Sequence, residues 1–185
     1  MDQRRLAWLE DQLTEAMRPD GPLVVLASHH ATASPDNRYG VCADREADRA
    51  YAAEVLSTAL RCPNVVLRLN GHHHANRIRA GGGVYEVTTA SITDQPSQAR
   101  LIEIAIEATD EIRLTSTMIN HAVPAGVSGD LADPAQLAAL HREPAYNDGV
   151  RAGRRGAEGF LADRNAHMYL HPLWHPLVWR TTCSP

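Results

Sequence analysis

The residues best suited to chemistry in this chain are its histidines, which are concentrated in three places. They form the clusters His29-His30, His72-His73-His74 and a tail set of His167, His171 and His175. Neutral imidazole is a good ligand for zinc, manganese and iron. The spacing in the tail set suits a helix, but Pro172 and Pro176 would interrupt it, so we expect no metal site there.

The first two histidine clusters each follow a predicted β-strand. Leu23–Ala27 and Asn64–Leu69 are short apolar runs typical of strands covered on both faces, and residues 44–61 between them carry a helical apolar face. Strand, helix and strand in this order predict a βαβ unit with parallel strands. Ligands of open parallel sheets bind at the carboxyl ends of the strands, where both clusters fall.

Local geometry suggests how the second cluster could bind metal. In an extended backbone His72 and His74 project to one side and His73 to the other, so two imidazoles would share a cavity. A polar loop without a ligand is the alternative for this triplet taken alone. The second strand-end pair, His29-His30, favours the metal site.

Several further elements are expected along the chain. Asp2 can cap an amphipathic helix that stops at Pro19, and strands that follow Gly81-Gly82-Gly83 are expected to be antiparallel. These strands cover Val84–Thr89 and the apolar alternation of residues 102–106 and 112–118. Helices are predicted near residues 134–141 and, more weakly, 154–163.

Three stretches together resemble the later half of the calcineurin-like metallophosphoesterases. They are Trp8–Leu13, with its WL-type helix, the strand that ends in Ser28-His29-His30, and the strand that ends in Gly71-His72-His73-His74, which has the form GHxH. The segment 84–106 resembles the closing strands of that family, and the likeness covers about residues 3–110. The proline that often follows the strand-end histidine in the family is replaced here by Ala31.

The resemblance implies a set of metal ligands. His29 and His72 would hold one divalent ion and His74 a second, while His30 would lie outside the direct ligands and His73 would have no role. The implied activity is hydrolysis of phosphate mono- or diesters at two divalent ions, Mn, Fe or Zn. The substrate would be a phosphoester.

The family's other motifs, DxH, GDxx and GNH followed by an acid, are not found in the expected places. Asn120-His121 and Gly129-Asp130 come after GHxH and are not assigned to the site. The resemblance therefore implies an α/β chain forming the carboxy-terminal half of a four-layer αββα sandwich, with the remaining motifs expected upstream of Met1. Residues 1–120 would belong to that domain, and residues 121–185 would be a partly helical extension packed on it. This chain alone is expected to be inactive.

Composition narrows the expected partners. A net charge of -4 argues against a nucleic-acid partner, including the nuclease branch of the family, and no run of residues is apolar enough to span a membrane. The amino terminus lacks a signal-like segment, so the chain as given is expected in the cytoplasm. Cys42, Cys62 and Cys183 form no recognisable disulfide or zinc pattern.

Two other expectations stand beside catalysis. Unpaired strand edges would favour self-association or pairing with another chain. A chain that folds alone could also use its histidines as a non-catalytic metal-binding or structural module.

Overall fold

The computed structural model describes residues 1–31, 50–122, 132–147 and 156–171. This part of the chain has a mixed α/β structure with two β-sheets and three α-helices. None of the helices in the described ranges is long and apolar enough to traverse a bilayer. In chain order the elements are α1 (Gln3–Ala16), β1 (Val24–Ala27), α2 (Ala52–Leu60), β2 (Val65–Asn70), β3 (Arg77–Gly81), β4 (Val84–Thr88), β5 (Ala99–Ile106), β6 (Ile112–Ile119), α3 (Pro134–Asn147), a short 3₁₀ helix (Leu161–Asp163) and β7 (Ala166–Leu170).

The first helix forms as the sequence predicts. The Asp2 carboxylate accepts a hydrogen bond of 2.8 Å from the backbone N–H of Arg5, which caps the amino end of α1. Leu6, Leu9 and Leu13 recur at helical spacing and are buried. The helix therefore presents one apolar face to the rest of the fold.

The βαβ unit is confirmed, and it lies in a four-stranded sheet of order β1-β2-β4-β3. Strands β1 and β2 are parallel neighbours, with α2 between them in the chain. Residues 44–49 of the predicted helix lie outside the described ranges. The sheet thus brings the carboxyl ends of β1 and β2 to one edge.

The expectation that all later strands are antiparallel is wrong for β4, which runs parallel to β2. The cause is β3, a strand that the sequence pattern did not reveal. It forms a hairpin with β4 through Gly82 and Gly83, whose φ angles of 63° and 79° suit a tight two-residue turn. Because β3 takes the outer position as the antiparallel edge strand, β4 lies beside β2 with the same direction.

The second sheet is antiparallel, as predicted for residues 102–118, and has the order β5-β6-β7. Its third strand comes from the segment 121–185, so the expected boundary at residue 120 falls between two strands of one sheet. The helix predicted near 134–141 is present and longer. The one predicted near 154–163 is wrong for its described residues, which form a turn and the 3₁₀ helix Leu161–Asp163.

Apolar side chains from the two sheets form the main core. Leu67 and Val87 of the first sheet pack with Ile112, Leu114 and Leu170 of the second. On the other side of the first sheet, Leu9 and Leu13 of α1 join a second cluster with Val65 and Val84. Helix, sheet and sheet therefore stack as layers, and the histidine-bearing loops leave the middle layer at its edge.

Candidate metal centre

His29 and His72 leave neighbouring parallel strands at the same edge of the sheet. Ala27 of β1 pairs with Leu69 of β2, and beyond this pair the Gly71 N–H donates a 3.1 Å hydrogen bond to the His29 carbonyl. The two loops are thus tied together by backbone contacts. This tie explains why their side chains converge.

The rings of His29, His30 and His72 form a compact cluster. One ligand nitrogen from each lies within 4.8 Å of the others, and His72 Nδ1 is 3.0 Å from His29 Nε2. The centroids of the His30 and His72 rings are 4.1 Å apart. The structure therefore places His30, expected outside the direct ligands, in the cluster itself.

The backbone of the GHxH segment is not extended, contrary to the geometry assumed for it. His72 and His74 have φ angles of 65° and 50°, in the left-handed region, and the His73 N–H donates to the Gly71 carbonyl over 2.8 Å. The resulting turn separates the two alternate histidines. His72 joins His29 and His30, whereas His74 is not a member of that cluster.

His74 instead contacts a carboxylate. Its Nδ1 lies 2.6 Å from Asp94 Oδ2, and the two side chains are 35% and 42% exposed. Asp94 follows β4 in a turn rich in hydroxyl side chains. Asp94 is not among the residues that the sequence pattern predicts for the site. Its only signal in the sequence is its place in the turn Ser91-Ile92-Thr93-Asp94.

A buried polar group lies next to the histidine cluster. Glu86, which is 6% exposed, accepts hydrogen bonds from Asn70 at 2.7 Å and from Arg68 at 3.2 Å. Burial lowers the pKa of Arg68, and the Glu86 carboxylate partly opposes this effect. These three side chains line a cavity of ≈ 430 Å³ together with His29 and His30.

The three clustered imidazoles could hold a single divalent ion. Two nitrogens on a tetrahedral zinc, each at about 2.0–2.1 Å, lie about 3.3 Å apart, close to the His29–His72 separation. His30 Nε2 is buried and has no hydrogen-bond partner among the described residues. Burial, followed by the neighbouring His72 and His29, lowers the pKa of His30 and favours its neutral, ligating form.

No protein-family model, curated protein or solved structure matches the chain.

The described histidines of the tail set, His167 and His171, lie apart from this cluster. His167 is on β7, where its Nδ1 lies 3.1 Å from the Thr115 hydroxyl oxygen, and His171 follows that strand. His167 therefore belongs to a strand and not to a helix that would align the tail set. His175, like Gly129-Asp130, Cys42 and Cys183, lies outside the described residues.

Proposed function

We propose that this chain contributes part of a metal-dependent phosphoesterase centre of the calcineurin-like type, which hydrolyses phosphate mono- or diesters. The observation that carries the proposal is the convergence of His29, His30 and His72 from the ends of two parallel strands. A polar loop of no function would not be expected to bring three imidazole rings together at the edge where α/β sheets bind ligands.

The histidines take two roles in this proposal. One ion of Mn, Fe or Zn would be held by His29 and His72, and His30 is now a third candidate ligand of it. His74 would be a ligand of a second ion. Ions at such a centre lower the pKa of bound water and neutralise charge on phosphate oxygens. The chain's own contribution is to hold the imidazoles at fixed positions.

The proposal requires groups beyond the cluster. Among the described residues the cluster contains imidazoles and no carboxylate, whereas a two-ion centre needs a bridging acid. We propose that this acid and the leaving-group histidine come from outside these 185 residues. The complete domain would then be the four-layer αββα sandwich, to which the described helix, sheet and sheet layers would contribute one half.

Strand edges give that missing half a place to pair. Within the described ranges, β1 and β5 are edge strands of their sheets, and Ile104 and Ile106 of β5 are 41% and 56% exposed. An unpaired apolar edge recruits another strand. Self-association through these edges is the corresponding proposal for the chain on its own.

A non-catalytic metal-binding module is the second candidate. The all-histidine composition of the cluster favours it, because three imidazoles can hold one zinc without help from a carboxylate. The two candidates differ in whether a bound ion is open to phosphate.

Inorganic phosphate with Mn²⁺ separates the two candidates. Because Mn²⁺ is paramagnetic, phosphate that reaches the bound ion should show enhanced ³¹P relaxation. We expect this enhancement with the chain. In His72→Ala we expect Mn²⁺ affinity to fall at least about tenfold and the enhancement to fall with it, because loss of a group that only orients a ligand already costs about 10- to 100-fold. The matched control, His167→Ala, changes a histidine on β7 and should leave the enhancement intact.

The outcomes are distinct. Mn²⁺ binding that depends on His72 without any effect on phosphate would reject the phosphoesterase proposal in favour of the non-catalytic module. In the same samples an aryl phosphate should not be turned over, because the histidine cluster has no carboxylate to bridge two ions among the residues that the structure describes. Turnover that His74→Ala abolishes would show that this chain, or two copies of it, completes the centre.

A further inference from the structure

We propose that Asp94 is the positioning residue of His74: it fixes the imidazole tautomer in which Nδ1 carries the proton and Nε2 offers a lone pair to the ion. The inference rests on the proposed function, because it gives His74 its role as a ligand separate from the His29, His30 and His72 cluster. The contact that carries it is the 2.6 Å separation of His74 Nδ1 and Asp94 Oδ2.

The tautomer follows from the chemistry of the two groups. An ionised carboxylate only accepts hydrogen bonds, so His74 Nδ1 must be the donor in this contact. In a neutral imidazole the other nitrogen, Nε2, is then unprotonated and able to bind a metal. A carboxylate that receives the N–H of a metal-binding histidine also holds the ring in place and raises its basicity.

The turn around Asp94 fixes the carboxylate independently of His74. Its backbone N–H donates 3.1 Å to the Ser91 hydroxyl, and its Oδ1 accepts a 2.8 Å hydrogen bond from the Gln95 N–H. The Ser97 N–H in turn donates 2.8 Å to the Asp94 carbonyl. Oδ2 thus faces His74 from a turn whose own hydrogen bonds do not involve the histidine.

The contact orients the His74 ring and contributes little to the stability of the fold. Both side chains are more than a third exposed, and an exposed ion pair contributes little to folding. His74 also holds a left-handed backbone, with a φ angle of 50°, which is uncommon for residues other than glycine. This backbone conformation and the Asp94 carboxylate together restrict the orientation of the His74 ring.

The tautomer can be measured in the metal-free chain by two-bond ¹H–¹⁵N correlation of the histidine rings, with His74 assigned by comparison with His74→Ala. We expect the Nδ1-protonated form for His74, and a mixture or the Nε2-protonated form in Asp94→Ala. Asp94→Asn retains an acceptor oxygen and should restore much of the Nδ1-protonated form. Ile92→Ala, a change of a 71% exposed side chain in the same turn, is the matched control and should have no effect.

Zinc titration followed at the His74 ring adds a second readout. Loss of an outer carboxylate typically weakens metal binding 10- to 100-fold, so the site-resolved Kd at His74 should rise by about that factor in Asp94→Ala. The Kd read at His29 and His72 should stay unchanged. An Nε2-protonated His74 in the parent chain, or an equal Kd in Asp94→Ala, would overturn the inference.

The two proposals fail in different ways. If His29 and His72 do not respond to zinc, the metal centre itself is wrong, whatever the tautomer of His74. If they respond and His74 has the wrong tautomer, the centre stands and only the role of Asp94 is lost.

Discussion

The face of the first sheet that α1 covers has an apolar end, where β2 and β4 begin, and a polar end towards their carboxyl termini. At the amino end, Val65 and Val84 pack against Leu9 and Leu13 of α1. At the carboxyl end, the same strands carry polar and charged side chains. These are Arg68 and Asn70 of β2 and Glu86 of β4, which form one hydrogen-bonded group.

The difference shows how a single pair of strands serves two purposes. Apolar burial at one end supplies the stability, since each buried Leu or Val side chain contributes about 1.5–3 kcal/mol. The other end is left with groups that are costly to desolvate and that need partners. A substitution at the apolar end should therefore change stability, whereas a substitution among the histidines should change metal binding.

The largest effect is expected for Leu13→Ala at the apolar end. Leu13 is 3% exposed, and truncation of a buried leucine costs about 2–5 kcal/mol. The free energy of unfolding, measured by urea denaturation, should fall by that amount. The Mn²⁺ affinity of the folded chain should change little, because sites without shared contacts behave independently.

Gln12→Ala is the matched control for this prediction. Gln12 neighbours Leu13 on the same helix but is exposed, so its removal should change stability by less than about 0.5 kcal/mol. Equal losses for the two variants would show that α1 does not cover the sheet.

The sequence predicted the apolar end better than the polar end. Helical spacing of Leu6, Leu9 and Leu13 is a local pattern that directly reports a buried face. Parallel pairing of β1 and β2 was also predictable, because a helix between two apolar runs leaves few topologies. These elements bring His29 and His72 to one edge.

The parts that escaped prediction depend on turns and on distant residues. The left-handed backbone at His72 and His74 is set by a loop and has no periodic signal. Asp94 is 20 residues from its partner His74, and Arg68 and Glu86 are 18 residues apart. The register of β2 against β4 creates the Arg68–Glu86 pair, whereas His74 and Asp94 lie in the loops that follow these two strands. The sequence did not reveal β3, whose hairpin places β4 beside β2.

Glu86→Gln should have the next largest effect, at the polar end. The substitution keeps the shape of the side chain but removes the charge that faces partly buried Arg68. The new amide NH₂ of Gln is itself a donor, so it would face one of the two donors, Arg68 or Asn70, without an acceptor. Leaving a charged group without its partner costs about 1–3 kcal/mol, which urea denaturation would detect. Converting both partners, as in Arg68→Met with Glu86→Leu, should recover much of the loss.

An exposed ion pair provides the control for Glu86. Glu10 and Arg61 lie 2.8 Å apart with side chains 46% and 61% exposed, and Glu10→Gln should cost at most about 1 kcal/mol. If Glu86→Gln is at least as stable as Glu10→Gln, the polar end is well solvated and its side chains do not carry a large desolvation cost.

The smallest effect, expected for Asp2→Ala, tests whether the two ends are independent. The change removes the cap of α1 and should lower the free energy of unfolding by about 1 kcal/mol. Asp2→Asn keeps an acceptor oxygen, so its free energy of unfolding should fall by less than half of that amount, since the Asp2–Arg5 ion pair is largely exposed.

The start of α1, the helix that covers the apolar end, also reaches the polar end, because Met1 and Arg5 line the cavity beside His29 and His30. If fraying of this turn stays local, Mn²⁺ titration of Asp2→Ala will give the affinity of the parent chain. A severalfold weaker affinity, with Asp2→Asn unaffected, would show instead that the start of α1 helps to hold the histidine cluster in place.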